Sequence, residues 1–82
     1  MISKENLLRN ARISNYEQHI KETNFRCLKL VEDIRSYLDP VEHFSDMSRI
    51  NIEKAEILFR ELKLTIQEMK DKKEELEYLK DN

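Results

Sequence analysis

The chain has 82 residues, of which 39% are charged and 39% hydrophobic, with a net charge of −2, one proline, one cysteine and no glycine or tryptophan. A chain of this length holds at most one small domain with a thin core of its own, yet it is too apolar for a disordered tail. The lack of glycine excludes a phosphate-cradling loop, apolar runs no longer than Ile57, Leu58 and Phe59 exclude a membrane-spanning helix, and a lone cysteine excludes an internal disulfide.

The first predicted element is a long helix over about residues 4–38. Ser3 is placed to cap it, because a hydroxyl at that position accepts from backbone N–H groups with no partner of their own. Along the helix, Ile13, Tyr16, Ile20, Thr23, Cys27, Leu30, Ile34, Tyr37, Val41 and Phe44 follow one another at alternating steps of three and four. That spacing is a heptad seam, which puts all ten on one face. A second apolar strip, Phe25, Leu28, Val31 and Leu38, lies off the seam.

Pro40 ends this helix, since proline disfavours the helical conformation of the residue before it and has no N–H to donate. Asp39, Pro40, Val41 and Glu42 read as the start of a new turn with a capping contact from Glu42. Ser45, Asp46 and Ser48 repeat the start signals a few residues on. The expected corner therefore covers residues 39–47 with one short helical turn, and it exposes Phe44 and Met47 beside Pro40. Because the heptad phase runs on to Phe44, the same residues also fit a single kinked rod.

The second helix is expected over about residues 48–80. Its seam is Ala55, Leu58, Leu62, Thr65, Met69, Lys72, Leu76 and Leu79, widened along one edge by Ile52, Phe59 and Ile66, with Lys72 the one residue out of place. Folding the chain back about a centre between residues 44 and 45 sets Ile34 against Ala55, Cys27 against Leu62, Ile20 against Met69 and Ile13 against Leu76. Four layers fill in succession, which favours an antiparallel helical hairpin over the rod. Leu30 and Leu58 complete the expected seam. Residues 1–38 hold seven basic and five acidic side chains and residues 39–82 hold eight basic and twelve acidic, so the arms carry about +2 and −4 and attract.

Two helices do not hide everything they carry. Ile50, Ile57, Leu64 and Tyr78 recur at multiples of seven off the second seam, and a helix apolar on more than one side has more than one neighbour. The expectation is an all-α protein: a coiled-coil-like antiparallel hairpin that dimerises into a four-helix bundle through Phe25, Leu28, Ile57 and Leu64.

Chemistry is scarce in this sequence. His19 with Glu22 and Asp39 with His43 offer two metal ligands each, too few for a site, so no metal, cofactor or catalytic residue is expected. Cys27 stands on the seam as an inert buried thiol. With no demand for an oxidising compartment and no apolar signal segment in the opening MISKENLLRNAR, the expected location is the cytoplasm. The functional expectation is a non-catalytic protein-interaction module, such as an adaptor, assembly factor, chaperone or inhibitor, that binds itself and another protein and no membrane. The alternative is a small nucleic-acid-associated regulator using Lys4, Arg9 and Arg12 beside Lys70, Lys72, Lys73 and Lys80. That alternative is disfavoured because nucleic-acid binders concentrate positive charge over a whole face.

Overall fold

The computed structural model describes residues 3–39 and 45–81. The expected corner residues Pro40, Val41 and Phe44, the capping contact of Glu42 and the pair formed by His43 lie outside the described residues. Among those described, the protein is all helical: α1 covers Lys4–Tyr37, a single 3-10 turn covers Met47–Arg49, and α2 covers Ile52–Asp81.

Helix α1 starts where its cap predicts. The Ser3 hydroxyl accepts from the amide of Asn6 at 3.2 Å, satisfying one of the four donors that a helix leaves free at its beginning. At the other end the amide of Leu38 is shared between the carbonyls of Ile34 and Arg35, at 3.1 and 3.2 Å, and that of Asp39 reaches Ser36 at 3.4 Å. The helix tightens and stops ahead of Pro40.

The second helix begins later than expected, at Ile52 rather than near residue 48. Two caps stand in succession. Asp46 takes the amide of Ser48 at 3.1 Å and its hydroxyl at 2.6 Å, which closes the 3-10 turn and ends there. Asn51 then accepts from the amide of Lys54 at 3.0 Å through its side chain, while its carbonyl accepts from Ala55 at 3.2 Å. Asparagine is among the strongest N-cap residues, and it sets the true start of α2.

The two helices lie side by side and antiparallel, with Arg9 against Leu79 and His19 against Glu68. The molecule measures 68 × 16 × 14 Å. One kinked rod of this length would extend well beyond 100 Å at 1.5 Å per residue, so the kinked rod does not occur and the chain is a hairpin. Its core is thin: Thr23, Cys27, Ile34 and Ala55 are buried, flanked by half-buried Ile13, Ile20, Leu30, Leu58, Leu62, Met69 and Leu76. Thr23 is the most completely covered of all, at 0% exposure. Its hydroxyl donates to the carbonyl of His19 at 2.7 Å, so the small polar side chain is satisfied within its own helix.

Candidate protein-interaction site

A two-helix pair has two flanks beside its seam, and the sequence makes them different. On the first flank, α1 presents Arg12, His19, Arg26 and Asp33 at intervals of seven, and the antiparallel register sets these opposite Glu75, Glu68, Glu61 and Lys54 of α2. Every opposed pair in this row combines a basic with an acidic residue. Glu68 is the centre: His19 Nε2 lies 3.1 Å from one carboxylate oxygen and Arg26 Nη2 lies 3.1 Å from the other. A carboxylate only accepts, so the hydrogen in the first contact sits on Nε2. Arg26 also reaches the Thr23 hydroxyl at 3.5 Å. These groups are partly exposed, which keeps each pair weak, and the alternation of sign along the row agrees with the register of the two helices.

The second flank follows the same geometry with a different composition. Here α1 presents Asn10, Glu17, Asn24, Val31 and Leu38, against Lys80, Lys73, Ile66, Phe59 and Ile52 of α2. The half near the open end is polar, and Lys80 Nζ lies 3.4 Å from Glu17. The half near the corner is apolar. Val31, Ile34, Leu38, Phe59 and Leu62 line an open groove of about 750 Å³, with Glu32, Arg35 and Asp39 at its rim. Val31 is 40% exposed, Phe59 51% and Ile52 59%, so this flank leaves large side chains in water beside the seam.

The four residues expected to form one oligomer contact do not share a face. Leu64, 72% exposed, lines a groove with Arg26, Lys29, Asp33 and Glu61 on the charged flank, and Ile57, seven residues earlier, shares that stripe. Leu28 stands at the outer edge of the apolar flank, one turn before Val31, and Phe25 a further turn back points away from the seam. All four are exposed. At the corner Met47 is exposed too. What the sequence reading left apart is the union of Val31 and Leu38 on α1 with Phe59 and Ile52 on α2. The signal was available, because residues one place after the second seam position of each heptad, as Val31 after Leu30 and Phe59 after Leu58, face their counterparts across an antiparallel pair.

The open end is tied down by its basic residues. Arg9 donates through Nε to the Leu79 carbonyl at 3.0 Å and through Nη2 to the carbonyls of Leu79 and Lys80. Lys72, on the seam, holds its ammonium 5.2 Å from the centre of the Tyr16 ring and 3.5 Å from Glu75. A stacked cation over a phenol covers the seam without burying its charge. His19 faces Glu68, and Glu22 accepts instead from Gln18 at 3.0 Å, so the structure does not bring His19 and Glu22 together. Among the described residues no three His, Cys, Asp or Glu side chains are grouped to hold a metal ion, Cys27 is a buried free thiol, and no helix is long and apolar enough to cross a membrane. Compared with known proteins, the chain matches no family model, no curated protein and no solved structure.

Proposed function

We propose that the protein is a non-catalytic interaction module, a coiled-coil-like helical hairpin that self-associates into a four-helix bundle in the cytoplasm and offers its remaining apolar stripe to another protein. One observation carries this reading: the groove of Val31, Ile34, Leu38, Phe59 and Leu62 runs beside the seam and nothing in the described chain covers it. Exposed apolar patches of this kind mark binding surfaces, and adding a second pair of helices is the ordinary way to cover one flank of a hairpin. The stripe of Ile57 and Leu64 lies on the far side and remains free for a heterologous partner, as does Met47 at the corner. The nucleic-acid alternative has less to draw on, because Arg9, Lys72 and Lys80 are each engaged within the molecule. Sedimentation equilibrium at micromolar concentration tests self-association: a dimer mass supports it, and a monomer mass across that range removes it. Retention on DNA or RNA that falls steeply with salt would revive the alternative.

A further inference from the structure

Resting on the self-association proposed above, we infer that the apolar flank is covered by the same flank of a second copy, with the two-fold axis running along the length of the hairpin and the contact confined to the corner half. In this arrangement α1 of one copy lies over α2 of the other, antiparallel, and both copies keep their heights, so the register of the hairpin is repeated between copies. The apolar rows then close on one another: Val31 and Leu38 meet the Phe59 and Ile52 row of the second copy.

Charge on the banks of the groove decides between this occupant and others. The outer bank of α1 carries Lys21, Leu28 and Arg35 at intervals of seven, and the outer bank of α2 carries Glu56, Lys63 and Lys70. Within one molecule these banks are on opposite sides of the groove. Among the described residues neither Arg35 nor Glu56 has an ion-pair partner. Turning a second copy about the long axis brings the α1 bank of one against the α2 bank of the other. Arg35 then comes level with Glu56 of the second copy to within about one helical turn, twice per dimer. Leu28 comes level with the aliphatic stem of Lys63. Further toward the open end Lys21 meets Lys70, a like pair, at the height where the floor has already turned from Val31 and Phe59 to Asn24 and Glu17. The surface is thus attractive to its own copy where it is apolar and repulsive where it is polar, which is the pattern of a self-complementary two-fold contact.

Sedimentation equilibrium on the parent and four purified variants tests the inference, with circular dichroism confirming that each retains its helix. The first two are Arg35→Glu and Glu56→Arg, both on exposed banks away from the seam. Each alone places two like pairs in the dimer and is expected to weaken self-association by about tenfold or more, whereas an equimolar mixture of the two chains forms mixed dimers with affinity close to the parent's. Only a contact between copies produces recovery in the mixture. Phe59→Lys is expected to abolish the dimer, and Leu64→Lys, on the charged flank, to leave it intact. A parent chain that is monomeric removes self-association itself. A parent dimer that Leu64→Lys breaks, or one whose swapped chains fail to recover on mixing, leaves self-association standing and overturns the face assigned to it.

Discussion

The guanidinium of Arg9 is hydrogen-bonded to the backbone carbonyls of Leu79 and Lys80, so the second turn of α1 caps the last turn of α2. A helix ends with four carbonyls that lack intrahelical partners and with the negative pole of its dipole. A planar guanidinium supplies several donors in a fixed fork, which lysine cannot do. The two arms meet here through a side-chain-to-backbone contact that does not depend on the identity of the residues it caps.

Replacing Arg9 with methionine keeps an apolar stem and removes every donor. Hydrogen bonds from a charged group contribute about 1.5–3 kcal/mol when sheltered, and partial exposure reduces this to about 1 kcal/mol. Arg9→Met is therefore expected to lower global stability by about 1 kcal/mol at most while backbone amides at positions 77–81 exchange several times faster, since the end of α2 opens locally. Hydrogen exchange followed residue by residue checks this. Identical rates in parent and variant would mean that the cap does not hold the end.

Burial orders the seam residues by what their loss should cost. Ile34 is 5% exposed and Leu62 is half-buried at the edge of the groove. Ile34→Ala is expected to destabilise by about 2–4 kcal/mol through lost transfer energy and the cavity left behind. Leu62→Ala should cost about half as much, because part of its side chain already faces water. Urea melts of the two variants give the comparison, and the reverse order would place the core nearer the apolar flank than Ile34.

The features legible in the sequence are those that depend on spacing alone. Ile13, Ile20, Cys27 and Ile34 recur every seven residues, as do Ala55, Leu62, Met69 and Leu76, and such rows have little choice but to face each other. Cross-helix contacts at positions 9 and 79, 16 and 72, and 19 and 68 keep close to the register expected from those layers. Less legible was the start of α2, because Asp46 and Asn51 are both good caps and local signals do not say which one the long helix uses. The division of Phe25, Leu28, Ile57 and Leu64 between the two flanks was less legible for another reason. Multiples of seven mark Ile57 and Leu64 as one stripe, but the side of a hairpin on which a stripe falls depends on its place within the heptad. Ile57 belongs with the charged row and Val31 with the apolar one.

The charged row predicts its own dependence on salt. Glu68 serves His19 and Arg26 together, and Glu68→Lys would set three basic groups side by side at that height. With these groups more than a third exposed, the loss at low salt is expected to be about 1 kcal/mol. At about 1 M salt the Debye length falls to roughly 3 Å, and the difference between parent and variant should shrink by half or more. Denaturation at low and high salt provides the test. A loss that is the same at both would show that Glu68 acts through its packing on the seam and not through its charge.

Thr23 is the most buried side chain of the described residues, and its hydroxyl points to no other helix. It donates to the carbonyl of His19, an oxygen that the helix already supplies with the amide four residues on, so removing the hydroxyl strands no buried acceptor. The methyl is different, because it is wholly buried in the seam and has no substitute. Thr23→Val keeps the shape and exchanges one weak hydrogen bond of about 1 kcal/mol for about 0.8 kcal/mol of extra apolar burial, which nearly cancel. Thr23→Ser keeps the hydroxyl and loses the methyl, leaving a small cavity in the seam, and should cost about 1 kcal/mol or somewhat more. The expected order of melting temperatures is therefore parent and Thr23→Val together, with Thr23→Ser several degrees below. If the serine variant instead matches the parent and the valine variant falls, the hydroxyl carries the site. Its 3.5 Å contact with Arg26, which ties the seam to the charged flank, would then be the interaction that α1 and α2 need at this height.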